Sequence, residues 1–276
     1  MLVSSKGLVY HARTDKYAIG CFNTSDLEIT KAIIAAAEAQ KSPVIISTSP
    51  KAIEYAGLRT LANIIINEAQ NAKIPVALHL DHGLTLALVE ECLDAGYTSV
   101  MFDGSGSELE HNEILTRQAV EMARAKQVPC EGELGSIGKV NKNPSKLTNP
   151  DNVIEYVQKT GVDFLAVSIG SEHGVSESEA LDIKLLKKIN NLTAIPLVLH
   201  GASGISDNDI KLAINNGIAK INIDTDIRHT FVRGLRDILE KYPNEKDPRE
   251  IMKKVMLEIQ KYVEEKIKLF GSSGKA

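Results

Sequence analysis

The sequence predicts an α/β fold, a (β/α)8 TIM barrel with an additional C-terminal helix, and three observations predict it. Short apolar runs rich in β-formers recur eight times, at 17–23, 43–49, 75–81, 99–104, 128–135, 164–170, 196–201 and 220–225. After each of them the apolar residues switch to helical spacing, over 26–40, 60–72, 85–95, 108–126, 150–160, 182–190, 206–216 and 226–241. The length of 276 residues is that of one such barrel, so 1–276 is expected to form a single domain. A doubly wound open sheet is the rival, but its first strand usually runs into a glycine-rich turn. Here that turn reads FNTSDLE.

The elements follow in order. YAIGCFN leads into a helix that Asp26 can cap and in which Leu27, Ile29, Ala32, Ile33, Ala36 and Ala37 recur at helical spacing. PVIISTS precedes the helix at 60–72, and PVALHLD precedes the one at 85–95, which Gly96 can end. SVMFDG is followed by Ser107, placed to cap 108–126. VPCEGELG precedes the helix at 150–160, ended by Gly161, and FLAVSIG precedes that at 182–190. PLVLHG leads to Ser206, a cap for 206–216 with Gly217 beyond, and KINIDT leads to 226–241. The tail, 247–270, is one more amphipathic helix, with Pro248 where a helix can begin.

Composition narrows the function classes. The chain is 43% apolar and 25% charged, as globular proteins are. It holds no run of 18 apolar residues, so no membrane partner is expected. Its first residues lack the basic start and apolar stretch of a signal peptide, which predicts a cytoplasmic protein. Cys21, Cys92 and Cys130, odd in number and widely spaced, predict free thiols in a reducing compartment. A formal net charge of −4, without basic clustering before the C-terminal region, argues against nucleic acid but leaves room for a small anionic ligand.

Barrel enzymes carry their chemistry at the C-terminal ends of the strands. Here every end is polar: Asn23, Ser49, Asp81-His82, Asp103, Glu131-Gly-Glu133, His173-Gly174, His200-Gly201 with Ser203, and Asn222 with Asp224-Thr225. Three histidines, His82, His173 and His200, sit at or just past strands three, six and seven. Converging imidazoles suit zinc and leave a fourth position open, although a lone strand-end histidine is more often structural. Glycine follows each of the three, allowing tight turns and close backbone approach. His11, His111 and His229 read as solvated or capping residues. His79 shares the parity of Asp81 and reads as a satisfied core residue or a partner to the site. GASGIS (201–206) and NIDTD (222–226) enter helices and could cradle a phosphate, or be ordinary helix caps. No strand end carries a lysine, so a Schiff-base nucleophile is missing from the mouth.

In order, HLDHG, SVMFDGS, EGELGSIG, LAVSIGSEHG, PLVLHGASGI and INIDTD resemble the class II, zinc-dependent fructose-bisphosphate and tagatose-bisphosphate aldolases, from Tyr17 to the final LFGSSGKA. The resemblance implies a cytoplasmic carbon–carbon lyase of carbohydrate metabolism and glycolysis, a homodimer or homotetramer acting on a sugar phosphate. It implies one catalytic zinc on His82, His173 and His200, with Asp103 and Glu133 near an alternative position of the metal. Asp81 would be the acid/base at the C4 hydroxyl. Gly174, Gly201, Ser203, Asn222, Asp224 and Thr225 match residues around dihydroxyacetone phosphate, and the glycines can offer carbonyls to a monovalent cation, Na+ or K+. Asn23 and Ser49 match further substrate contacts, Ser49 at the other phosphate, where a neighbouring subunit would supply Arg249.

Two segments depart from the family's pattern. After EGELGSIG the family continues with acidic residues, one of them the base at C3. Here no Asp or Glu follows until Asp151, so Glu131 or water would have to substitute. Four residues after His173 the family often has a lysine; here stands Glu177, unless Lys184 reaches inward instead. The expected reaction is cleavage of fructose 1,6-bisphosphate to dihydroxyacetone phosphate and glyceraldehyde 3-phosphate. The alternatives are tagatose 1,6-bisphosphate, another sugar phosphate with a changed donor, and a metal- and sugar-phosphate-binding barrel with little turnover. A carboxylate beside a phosphate dianion is repulsive, so Glu177→Lys is expected to lower KM for dihydroxyacetone phosphate several-fold in the condensation direction. An unchanged KM would contradict the charge argument.

Overall fold

Eight parallel strands close on themselves in chain order: β1 (Ile19–Asn23), β2 (Val44–Thr48), β3 (Val76–Gly83), β4 (Ser99–Phe102), β5 (Cys130–Leu134), β6 (Phe164–Val167), β7 (Leu197–Leu199) and β8 (Ile218–Ile223), with β8 pairing back to β1. The computed structural model describes residues 1–138, 145–174 and 180–276. Each strand lies within or beside its predicted run. Two strands extend beyond their runs: β3 continues past Asp81 to Gly83, and β8 begins at Ile218, two residues before the predicted Lys220.

Nine of the helices were expected: α2 (Leu27–Gln40), α4 (Leu58–Asn71), α5 (Leu86–Asp94), α6 (Leu109–Ala125), α7 (Val153–Thr160), α8 (Ile183–Leu192), α9 (Asp207–Asn215), α10 (Thr225–Lys241) and the additional α11 (Pro248–Phe270). Two were not, α1 (Ser5–Asp15) and α3 (Pro50–Ala56). Short polar helices carry a weak apolar period, and their start signals, Ser4 and Ser49-Pro50, become legible only with the caps in view. The predicted caps Asp26 and Ser206 accept from Ile29 and Asp209 backbone N–H groups. Ser107 does not cap α6. Its N–H closes a turn onto Gly104 O, and Glu108 stands at the cap position without a side-chain hydrogen bond.

The alternation of strand side chains divides the apolar residues into two layers. One set faces outward against the helices, including Phe22, Ile46, Leu78, Leu80, Val100, Leu165 and Ile221. The other fills the lower barrel: Ile19, Cys21, Ile45, Ala77, Met101, Phe164, Ala166 and Val198. Helix α1 plugs this end with Val9 and Ala12, and Arg13 ties it down through the Thr193 and Gly217 carbonyls. Filling the lower barrel with apolar side chains leaves the upper, C-terminal end to carry polar groups. The three cysteines are buried and unpaired with one another, as expected of free thiols.

Helix α11 closes the seam between β8 and β1 by packing on α2 and α10. Its last residue, Phe270, is buried and stacks on Phe22 with ring centroids 6.5 Å apart, and its carbonyl accepts from the Ala18 N–H. Phe270→Ala is expected to lower the free energy of unfolding by about 3–5 kcal/mol, read by chemical denaturation; a loss below about 1 kcal/mol would mean that α11 is not part of the barrel's cooperative core.

Candidate active site

Neighbouring residues on a strand point to opposite faces. Ala77, His79 and Asp81 take the interior positions of β3, so His82 should face the helices. Instead the register against β4 shifts between Leu80 and Gly83, and His82 adopts a left-handed backbone, φ 51°. The kink turns its imidazole back into the mouth, and Asp81 and His82 line the same cavity. A non-glycine residue held there costs about 1–3 kcal/mol and is found chiefly where function requires it. Glycine at 83 completes the kink, because a Cβ there would lie 2.5 Å from the Met101 carbonyl oxygen.

The cavity over the C-terminal strand ends has a volume of about 910 Å³. The rings of His82, His173 and His200 converge in it, with centroids 4.9 Å apart for His82–His173, 4.6 Å for His82–His200 and 6.5 Å for His173–His200. Ring nitrogens of His82 and His200 and a carboxylate oxygen of Asp81 lie within 4.8 Å of one another, as do donor atoms of His82, Asp103 and Glu133. Each of two imidazoles is fixed from behind. His82 Nδ1 sits 2.8 Å from Asp103 Oδ2, and His200 Nε2 sits 2.8 Å from Glu131 Oε1. Asp103 is itself held by the Ser105 N–H and hydroxyl. These contacts leave His82 Nε2 and His200 Nδ1 facing the mouth. Among the described residues, His82 Nε2 and Glu133 Oε2 are buried without a hydrogen-bond partner. Buried polar atoms are rarely left so, and a divalent cation between imidazoles and carboxylates would satisfy both. The donor set fits zinc.

The charges shift one another. Burial alone would lower His82, but the carboxylates of Asp81, Asp103 and Glu133 outweigh it and hold the imidazole up at about 10. Burial would raise Asp81, yet the positive charges of His82 and Lys220 and the Asn23 amide bring it down to about 2. Two amides clamp this carboxylate: Asn23 Nδ2 donates to Oδ2 and Asn222 Nδ2 to Oδ1, each at 2.8 Å. Asn23 is oriented in turn by the Ser47 hydroxyl, 2.7 Å from its Oδ1. Burial and the neighbouring Asp103 charge raise Glu133 to about 8.

The remaining expected residues fall into place around this centre. Asn23, Ser49, Gly174, Gly201, Ser203, Asn222, Asp224 and Thr225 all line the cavity, as does Asp103, while Glu133 lies beneath it against His82. Gly201, at φ 64°, passes so close to Glu172 that a Cβ would lie 2.5 Å from its carbonyl oxygen. Ser203 Oγ accepts the Asp226 N–H in the first turn of α10, and Ser49 caps α3. Arg249 lies outside this cavity; it is exposed and paired with Asp247 at 2.7 Å. Lys184 is exposed on α8 and does not reach inward, since its helix turns that face to solvent. Glu177 and residues 139–144 lie outside the described residues. Glu131 cannot serve as the C3 base: it is fully buried, with one oxygen on His200 and the other on Lys220.

The sequence reading missed Lys51, Tyr55 and Arg228, which line the mouth, and the buried Lys220 below it. Arg228 pairs with Asp224 at 2.9 Å, a spacing of one helical turn that could have flagged it. Lys220 shares the strand parity of Asn222, which was the available signal.

A family model described as Fructose-bisphosphate aldolase class-II matches residues 3–275. The chain belongs to this family. Class II fructose-bisphosphate aldolases are lyases, and membership implies a divalent metal, typically zinc, and a sugar-phosphate substrate. The chain is 42% identical over 283 aligned positions to the fructose-bisphosphate aldolase of Geobacillus stearothermophilus, covering 100% of this chain and 99% of that one. It is 39% identical over 306 positions to that of Thermus caldophilus, with both chains fully covered. The crystal structure of the YdjI aldolase from Escherichia coli K12 superposes with a TM-score of 0.90 at 36% identity over 100% of both chains. The class II fold therefore spans the matched chain, and no helix among the described residues is long and apolar enough to cross a membrane.

In metal-free aldolase the imidazole of His82 is expected to titrate near pH 10, followed by NMR of its ring protons. Asp103→Asn removes a neighbouring negative charge and should move that titration to lower pH. An imidazole titrating at the ordinary histidine value in the unmodified protein would contradict the charge arrangement.

Proposed function

We propose that this aldolase reversibly cleaves fructose 1,6-bisphosphate to dihydroxyacetone phosphate and glyceraldehyde 3-phosphate, with His82, His173 and His200 holding the metal and Asp81 transferring the proton at the C4 hydroxyl. The observation that carries this reading is the clamp on Asp81. Its carboxylate is held ionised chiefly by the His82 charge and oriented by Asn23 and Asn222 at the edge of the cavity, 3.7 Å from His200 Nδ1 and 3.9 Å from His82 Nε2. When bound, zinc supplies Lewis acidity toward the ketone oxygen, where negative charge develops.

Asp81 accepts the C4 hydroxyl proton as the C3–C4 bond breaks, and returns it in condensation. The amides fix which oxygen lobes remain for the substrate, so the base is oriented before the substrate arrives. Asn222 Oδ1 is buried without a partner among the described residues and is available to a substrate hydroxyl. Gly201, Ser203 and Thr225 surround the N-terminus of α10, where backbone N–H groups and the helix dipole favour the ketose phosphate. Gly174 and Gly201 carbonyls are candidates for a monovalent cation. Ser49 lies at the start of α3 for the distal phosphate, and the outward position of Arg249 suits donation to a neighbouring subunit of a homodimer or homotetramer. With Glu131 locked beneath the floor, water is the carrier that remains of the two proposed at C3. The whole chain acts as one cytoplasmic domain in this reading.

Zinc-loaded protein should cleave fructose 1,6-bisphosphate and lose that activity with chelator. Asp81→Ala should retain zinc while kcat falls by about 10²–10⁴-fold. The assay is run in parallel on tagatose 1,6-bisphosphate; faster turnover there would reassign the substrate, and no zinc-dependent cleavage of either would overturn the reading.

A further inference from the structure

Beneath the mouth lies a line of polar side chains that the reaction does not use. Lys220 Nζ is 2.8 Å from Glu131 Oε2 and 3.3 Å from His79 Nε2, and all three side chains are fully buried. Glu131 Oε1 continues the line to His200 Nε2 at 2.8 Å. In the other direction His79 Nδ1 is 2.8 Å from Ser99 Oγ, which also accepts from the Ser5 hydroxyl of α1 at 2.8 Å.

The donor assignments along this line are forced by one group. An ammonium can only donate, so His79 Nε2 accepts from Lys220 and its Nδ1–H donates to Ser99. The same ammonium donates to Glu131, and the carboxylate is left to accept from His200. His200 must then carry its proton on Nε2, which leaves the Nδ1 lone pair facing the mouth. Apolar residues would fill this level of the barrel at less cost than a buried ion pair, yet nothing apolar could fix the tautomer of an imidazole.

We propose that Lys220 is a positioning residue for the metal, acting through Glu131 to hold His200 in the one tautomer that can ligate. Without the ammonium, nothing in the barrel interior holds Glu131 Oε2, and the carboxylate is free to turn its Oε1 away from His200 Nε2. The His200 ring then loses the acceptor that fixes its proton on Nε2, and the proton is free to move to Nδ1, which closes the ligand position. This inference rests on the proposed role of His200 as a ligand. Groups behind a metal-bound histidine typically contribute about 10–100-fold in affinity.

The test is the zinc dissociation constant of the full chain, measured by chelator competition at a temperature where circular dichroism shows each variant folded. Lys220→Met should weaken zinc binding about 10–100-fold. If that variant does not fold, Lys220→Met/Glu131→Leu replaces the pair by apolar groups of similar size, removes the acceptor behind His200 Nε2 and should weaken zinc by a comparable factor. In the unmodified metal-free protein, imidazole ¹⁵N NMR should find His200 protonated on Nε2. Wild-type zinc affinity in either folded variant, or a His200 proton on Nδ1 in the unmodified protein, would overturn the proposal. His200→Ala separates the two levels. If it loses zinc while the Lys220 variant keeps it, only the positioning role falls; if it keeps zinc, the ligand role of His200 falls as well.

Discussion

Two adjacent residues of one strand have to face the same way here, and the rest of the site depends on how that is done. Strand geometry sends Asp81 into the barrel and His82 out of it. The register shift and the left-handed backbone at His82 reverse the second, at the cost of local strain. The surrounding groups over-determine the result. Asp103 grips His82 from behind, Gly83 makes room against the Met101 carbonyl, and Asn23 and Asn222 hold Asp81 from β1 and β8. The carboxylate and the imidazole proposed for proton transfer and for metal binding thus stand side by side on a frame that neither could build alone.

Charge is distributed with the same economy. The mouth gathers carboxylates and imidazoles whose burial would neutralise most of them one at a time. Asp81 and His82 hold each other charged, His82 raised and Asp81 lowered, while burial and Asp103 raise Glu133 to about 8. The apolar lower barrel, plugged by α1, keeps water from this cluster and makes the mutual interactions strong. Between the two layers sits the Lys220–Glu131 pair, both side chains fully buried. Its position directly behind His200 is why it is read as part of the site and not as a defect of packing.

The family membership and the departures from its pattern meet at the phosphate end. Gly201, Ser203 and Thr225 line the mouth, Ser203 against the first turn of α10, and Arg228 adds a cation there, paired with Asp224. The alternative, that Lys184 reaches inward in place of Glu177, does not occur, because α8 carries Lys184 on its solvent side. The three histidines and Asp81 thus converge where the motifs put them, while the mouth also holds a side chain, Arg228, that the motifs did not single out.

The sequence by itself determined the barrel and the membership of the mouth. Eight apolar runs alternating with helical periods admit few topologies, and in a closed parallel barrel every strand end must arrive at one face, so Asp81, His173, His200 and Asn222 were certain to be neighbours once the count was right. Residues whose role depends on direction were not legible. Alternation alone would have sent His82 away from the mouth, Glu131 looked like a free strand-end acid, and Lys220 read as the first residue of a strand. Only the tertiary structure decided these, because a kink of one residue, a partner 89 positions away in the chain and the depth of a side chain in the barrel are set by packing between strands. No local pattern in the sequence encodes them.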